Sequence, residues 1–160
     1  MKYVIDTCSL LEGVVNRPYE KEFFPIHWRN LDNEIDNGLI VSTSLVYKEL
    51  EEKDDGIYRW AQSHQDMFKP PLVNVQKELT NLYTMFPIWA NYNLNKKPTW
   101  ADPEVIAFSK ANNLILVSQE KINLNSTKEK NYKIPTICCK FGVECITLLE
   151  LIKREKLHEV

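Results

Sequence analysis

The 160-residue sequence predicts an α/β fold in a single domain, with a central, mostly parallel sheet that helices cover on both faces. Short apolar runs without polar alternation recur along the chain, as expected for strands that are buried on both faces. Between these runs, apolar residues recur at spacings of three and four, which is typical of amphipathic helices. Strands that alternate with helices through short turns form parallel sheets.

The first half of the chain contains two predicted strands, followed by a helical insertion at 57–92. The run Tyr3–Ile5 ends in Asp6 and predicts the first strand, while Asn37–Gly38 is a typical signal for the end of a helix. Ser42–Ser44 offer caps for the helix that carries Glu49. The predicted elements are a strand at 2–6, a helix at 24–35, a strand at 39–41, a helix at 45–53, and inserted helices at 57–68 and 75–86.

The second half of the chain begins with a polar loop at 91–100 and continues as helices and strands. Asp102–Pro103 predicts a helix start, because Asp suits the N-cap and Pro suits the first helical position. The unbroken apolar run Leu114–Val117 predicts a strand that is buried on both faces. The predicted elements are a helix at 102–113, a strand at 114–117, a mobile loop at 123–133, a helix at 135–141, a strand at 143–147 and a helix at 148–156.

The composition disfavours several classes of protein and site. No apolar run approaches the roughly 20 residues that a membrane helix needs, and Asp6 interrupts the first ten residues, unlike in a secretory signal. We therefore expect a cytoplasmic protein with reduced cysteines. The four cysteines form no C-x-x-C pair and the histidines are scattered, which argues against a zinc site. With four glycines, the chain has neither a P-loop nor a G-x-G-x-x-G motif.

Four acidic residues are expected to converge at one edge of the predicted sheet. In an open parallel sheet, ligands bind outside the carboxyl ends of the strands. The acids are Asp6 at the end of the first strand, Glu49 in the helix after the second strand, Asp102 at the start of the helix before the central run, and Glu120 three residues beyond that run.

Four carboxylates in a small site need a cation, because ionised carboxylates repel one another. Mg²⁺ or Mn²⁺ is the natural partner, since both prefer oxygen ligands and can lower the pKa of a bound water. Such a site can hydrolyse a phosphodiester bond without a Ser–His or Cys–His pair. Each acid also has a structural interpretation: Asp6 as a turn cap, Asp102 as an N-cap, Glu49 as a solvated helix acid, and Glu120 as an ion-pair partner of Lys121.

Four segments of the chain resemble the PIN-domain superfamily, and they occur in the family's order. They are YVIDTCSL at 3–10, VYKEL at 46–50, ADPEVIA at 101–107 and LVSQE at 116–120. Flanking pieces at 24–28, 133–137 and 143–148 resemble a less-characterised bacterial branch of that superfamily. The resemblance implies a three-layer α/β/α sandwich and a ribonuclease that depends on Mg²⁺ or Mn²⁺. Many small bacterial members are toxins of toxin–antitoxin pairs, so the resemblance also implies an antitoxin protein as partner and a homodimer.

The same resemblance assigns roles to the acids. By position, Asp6, Glu49 and Asp102 would be the catalytic acids and metal ligands. In the commoner family pattern the fourth acid is an Asp that tends to follow a Thr, whereas here Glu120 follows Ser118 and is one methylene longer. Glu120 would join the catalytic and metal-binding set either directly or through water. Thr7 and Ser9 are expected to orient the Asp6 carboxylate by hydrogen bonds, and Ser118 is expected to support the carboxylates in the same way.

An RNA substrate would be bound by basic and aromatic residues on both sides of the acids, which neutralise phosphates and stack bases. Alternatively, these residues are ordinary solvated residues of surface loops. They are Lys96, Lys97 and Trp100 ahead of the third acid, and Lys121, Lys128 and Lys130 past the fourth.

Two other functions stay open on the sequence alone. A binding module of the same fold that has lost catalysis would suit the altered fourth acid and the net charge of −2, which provides no basic field for nucleic acid. A phosphatase or a receiver-like α/β protein would also place acids after strands. The chain has Thr7 and Cys8 after Asp6 and so lacks the Asp-x-Asp of common aspartyl phosphatases.

Overall fold

In a computed structural model of the chain, parallel strands form one sheet in the order β3–β2–β1–β4–β5. The structure describes residues 1–11, 22–53, 55–95, 100–122, 125 and 127–159. Within these ranges the strands are β1 (Tyr3–Ile5), β2 (Ile40–Thr43), β3 (Phe68–Lys69), β4 (Ile115–Val117) and β5 (Cys145–Ile146).

Helices flank this sheet and complete a three-layer α/β/α sandwich, so the predicted fold class is confirmed. They are α1 (Thr7–Leu11), α2 (Pro25–Asp36), α3 (Ser44–Glu51), α4 (Asp55–Ser63), α5 (Val73–Met85), α6 (Pro87–Asn95), α7 (Asp102–Asn112), α8 (Ile134–Phe141) and α9 (Leu148–Arg154), with 3₁₀ turns at Gln65–Met67 and Glu129–Asn131. Across the described ranges, every helix is too short or too polar to cross a membrane.

The central strand β1 explains why its sequence is an uninterrupted apolar run. Tyr3 is in register with Ile40 of β2 on one side and with Ile115 of β4 on the other. All three residues of β1 are completely buried, as the absence of polar alternation predicts. Asp6 follows immediately, so it lies at the edge of the sheet where the carboxyl ends of β1, β2 and β4 meet.

The helix predicted at 57–68 is wrong at its carboxyl end. The helical segment α4 ends at Ser63, a 3₁₀ turn follows, and the next two residues form β3. Phe68 of β3 is in register with Ser42 of β2. A two-residue strand is too short to show a periodicity in the sequence. It forms because the outer edge of β2 presents backbone groups that need hydrogen-bond partners.

The loop predicted at 91–100 is also wrong over its first half, since α6 continues to Asn95. Asparagine has a low helix propensity, so this segment resembles a loop in sequence. The Glu129 carboxylate accepts hydrogen bonds from the backbone N–H groups of Ile88 (2.6 Å) and Trp89 (3.2 Å) in the first turn. This distant cap satisfies donors that a helix leaves open and stabilises α6.

The start of α7 differs from the prediction in one respect. Asp102 was expected at the N-cap, but Ala101 holds that position and Asp102 is the first helical residue. Glu104, in the same turn, is buried, and its carboxylate accepts hydrogen bonds from the Leu45 backbone N–H (3.0 Å) and the Ser44 hydroxyl (3.4 Å). Glu104 therefore caps α3 and holds the amino end of α3 against α7.

Replacement of Glu104 by Ala should lower the free energy of unfolding by about 1–3 kcal/mol, because it leaves a backbone donor in α3 without its acceptor. Urea unfolding followed by circular dichroism measures this change. The matched control is Glu150→Ala, which removes an exposed pair with Arg154 and should change stability by less than about 1 kcal/mol. Equal losses in the two variants would contradict a capping role for Glu104.

Candidate functional site

A cavity of about 530 Å³ lies at the carboxyl edge of the central strands. The structure brings all four sequence-predicted acids to its lining, namely Asp6, Glu49, Asp102 and Glu120. This convergence follows from the topology, because β1, β2 and β4 are neighbours and their carboxyl ends face the same side. The catalytic and metal-binding roles of these acids stay a prediction.

Asp6 is the most deeply buried of the four acids that line the cavity. Its two carboxylate oxygens accept hydrogen bonds from the Ser9 backbone N–H (2.9 Å) and from the Cys8 thiol (2.9 Å). Burial raises the pKa of Asp6 above its ordinary value, although hydrogen bonds from Cys8, Ser118 and Ser9 oppose the rise. The Ser9 hydroxyl, predicted to orient this carboxylate, donates to the Val117 carbonyl (3.3 Å).

Glu49 also lines the cavity, and its side chain is buried. One of its oxygens accepts a hydrogen bond from the Thr7 hydroxyl, and the other accepts one from the Ala101 backbone N–H (3.2 Å). Thr7, which we expected to orient Asp6, thus donates to Glu49 instead. Because Ala101 precedes Asp102, the second contact ties Glu49 to the start of α7.

Asp102, in the first turn of α7, also lines the cavity. Its pKa is raised to about 8, first by burial and then by the negative charges of its acidic neighbours Glu120, Asp6 and Glu49. A hydrogen bond with the Trp100 side chain opposes this rise. In the absence of a cation, Asp102 is therefore largely protonated at neutral pH.

The Glu120 carboxylate forms its contacts with residues at the start of α8. One carboxylate oxygen accepts a hydrogen bond from the Ile134 backbone N–H (2.8 Å), and the other lies 3.4 Å from the Lys133 ammonium nitrogen. The Glu120 backbone N–H donates to the Ser118 hydroxyl oxygen (3.2 Å), so Ser118 contacts the loops of both Asp6 and Glu120.

Basic and aromatic side chains form the rest of the cavity wall. Trp100 lines the cavity as predicted from its position, and its ring centroid lies 4.6 Å from that of Trp89. Lys121 is exposed and lies outside the cavity lining, whereas Lys96 and Lys97 lie outside the described residues. The cationic side chains in the lining are Lys53, Lys130 and Lys133.

Comparison with protein families identifies one relationship. The family model described as a domain of unknown function, DUF4411, matches residues 3–158. The chain belongs to the DUF4411 family. All four acids and the lysines of the cavity lie within the matched range. No curated protein matches the sequence.

Sequence patterns did not identify several residues of the DUF4411 cavity. Lys53 follows Glu49 by four residues, so helical spacing could have placed both on one face. Cys8 follows Asp6 by two residues, but nothing in the sequence shows that its thiol donates to that carboxylate. Lys133 carries no local signal, because its relation to the acids depends on how α8 folds back toward the end of β4.

The donor set fits a hard divalent cation such as Mg²⁺ or Mn²⁺. Carboxylate oxygens are the ligands that these ions prefer, and a cation would remove the repulsion that raises the pKa of Asp102. Within the described ranges, no three His, Cys, Asp or Glu side chains are close enough to hold an ion as they stand. Ion binding would therefore require Asp6, Glu49 and Asp102 to move closer together.

In the absence of divalent metal, the DUF4411 protein should lose stability as the pH rises. Folding raises the pKa of Asp102 from 3.8 to about 8, and its contribution is lost as the pH increases through that interval. The free energy of unfolding should fall by up to about 1.4 kcal/mol per pH unit for this proton. Urea unfolding in EDTA between about pH 5 and about pH 8 measures the slope.

Asp102→Asn provides the comparison for this pH dependence, because the amide does not titrate. Its slope should be shallower than that of the wild type, and millimolar Mn²⁺ should flatten the wild-type slope as well. Equal slopes for wild type and Asp102→Asn in EDTA would contradict the raised pKa of Asp102.

Proposed function

We propose that this DUF4411 protein is an endoribonuclease that hydrolyses RNA phosphodiester bonds in the cytoplasm with Mg²⁺ or Mn²⁺ as cofactor. The observation that carries the proposal is the meeting of four acids in one cavity, with the pKa of Asp102 raised to about 8 by burial and by its acidic neighbours. Perturbed acids in a cleft favour a functional site over a purely structural one.

The chain would contribute the ion's ligands and the shape of the site. Asp6, Glu49 and Asp102 would hold the metal, and Thr7 would keep Glu49 oriented. When bound, the ion supplies a water of lowered pKa and positive charge at the phosphate. Burial and the nearby charge of Asp6 raise the pKa of Cys8 above its usual value, so this thiol stays protonated at neutral pH. Water is therefore a better nucleophile here than Cys8.

The wall of the cavity supports a nucleic acid as substrate. Lys53, Lys130 and Lys133 supply positive charge beside the acids, and such charges neutralise phosphates. Trp100 and Tyr132 are half-buried in the same lining and can contact bases. The choice of RNA over DNA rests on the resemblance of four sequence segments to PIN-domain ribonucleases.

The same resemblance supports a biological role as the toxin of a bacterial toxin–antitoxin pair. The proposal therefore includes an antitoxin protein as partner and a homodimer as the assembled form. Four segments in family order carry this part of the proposal.

Wild-type protein should cleave mixed cellular RNA in the presence of Mn²⁺ and should not cleave it in EDTA. Asp6→Asn and Asp102→Asn should each lower the cleavage rate at least about 100-fold, because several kcal/mol of transition-state stabilisation depends on the metal. Gel analysis of the RNA over time measures the rates.

The matched control is Asp66→Asn, an equivalent change at an exposed residue. Asp66 lies just before β3, at the opposite edge of the sheet from the cavity, so this variant should cleave like the wild type. Cleavage that persists in folded Asp6→Asn and Asp102→Asn would refute the proposed site, as would cleavage in EDTA.

An RNA-binding protein of the same fold without catalysis is the second candidate. The observation that favours it is Glu120, whose carboxylate contacts Lys133 and the Ile134 backbone N–H instead of its acidic neighbours. A wild-type protein that binds RNA but leaves it intact at every metal concentration would support this candidate over the nuclease.

A further inference from the structure

Both carboxylate oxygens of Glu120 already have donors. The Ile134 backbone N–H, 2.8 Å from one oxygen, belongs to a residue that is only 1% exposed. Movement of Glu120 toward Asp102 would leave this buried donor without its acceptor, which native proteins avoid. The position of Glu120 in the cavity is therefore better explained by its contacts with α8 than by metal ligation.

Lys133 has capacity for a further contact. Its ammonium group lies 3.4 Å from Glu120, its side chain is 60% exposed, and the residue lines the same cavity as the acids. An ammonium group has three donors, so it can contact a carboxylate and a phosphate oxygen together. The contact with Glu120 thus keeps the Lys133 ammonium group at the edge of the cavity, where it can still donate to a phosphate oxygen.

The formal charges of the cavity favour one metal ion over two. With every acid ionised, as binding of a cation to Asp102 would require, the four carboxylates and three ammonium groups among the described lining residues leave a net formal charge of −1. One divalent ion changes this to +1, which a single phosphodiester group balances. Two divalent ions would leave +3, an excess that the acids present do not compensate.

We propose that Lys133 binds the substrate phosphate in the place that a second divalent ion would otherwise take, with Glu120 as its anchor. The site then holds one divalent ion, between Asp6, Glu49 and Asp102. This inference rests on the proposed metal-dependent nuclease function and specifies how that site contacts its substrate.

Mn²⁺ binding tests the role of Glu120 independently of activity. Isothermal titration calorimetry should give one Mn²⁺ per chain, and Glu120→Gln should keep that affinity within about threefold, since the amide oxygen can still accept from Ile134. Asp102→Asn should weaken Mn²⁺ binding by more than about tenfold. A second Mn²⁺ per wild-type chain, or a loss of more than about tenfold in Glu120→Gln, would overturn the inference.

Substrate binding tests the role of Lys133. Fluorescence anisotropy with a short labelled single-stranded RNA, in Ca²⁺ instead of Mn²⁺, should show about tenfold weaker binding for Lys133→Met. The slope of log affinity against log salt should become shallower by about 0.7, which reports one lost phosphate contact. Lys133→Arg should restore most of the RNA affinity and most of the salt slope. The Mn²⁺ affinity of Lys133→Met should stay close to that of the wild type.

Lys153→Met is the control for a general loss of positive charge, since Lys153 is an exposed lysine on α9. It should leave RNA affinity and the salt slope unchanged. If Lys133→Met matches Lys153→Met in both measurements, the role of Lys133 is refuted even where wild type binds one Mn²⁺ and cleaves RNA. If wild type binds no Mn²⁺, the proposed nuclease site fails first and this inference fails with it.

Discussion

The Asp6 carboxylate is buried at the carboxyl end of the central strand, and the rest of the site depends on how that charge is accommodated. Burial raises its pKa, while donors from Ser9, Cys8 and Ser118 partly oppose the rise. Asp102 faces the same cavity, and its pKa is raised as well, to about 8. A fold that only needed stability would place apolar side chains here, so the buried acids favour a role in binding a cation.

The helices around the sheet hold this arrangement of acids in place. Glu104 in the first turn of α7 caps α3, and the Ala101 N–H beside it donates to Glu49. The two contacts join the amino end of α7 to the helix that carries Glu49. These contacts bring Asp102 and Glu49 to the same cavity even though many residues divide them in the chain. Glu129 caps α6, whose Trp89 ring packs against Trp100 in the cavity lining.

Local patterns and parallel topology were enough to predict the fold class and the position of the acids, but not the contacts between distant residues. The buried run of β1 and the topology of the sheet place Asp6 and Glu49 at one edge. In contrast, β3 depends on pairing with β2, and α6 depends on a cap from Glu129. The Thr7 hydroxyl donates to Glu49 and not to Asp6, which sequence neighbours alone cannot reveal. The sequence therefore identified the acids and, in Ser9 and Ser118, two partners of Asp6, but not the partners of Glu49 and Glu120.

A crystal structure of the protein with Mn²⁺, using anomalous scattering to locate the ion, tests most directly whether the acids of this cavity bind a divalent cation. An anomalous peak is expected between the carboxylates of Asp6, Glu49 and Asp102, with oxygen ligands at about 2.0–2.3 Å. Absence of a peak in the cavity at saturating Mn²⁺, with the three carboxylates still apart, would contradict this expectation.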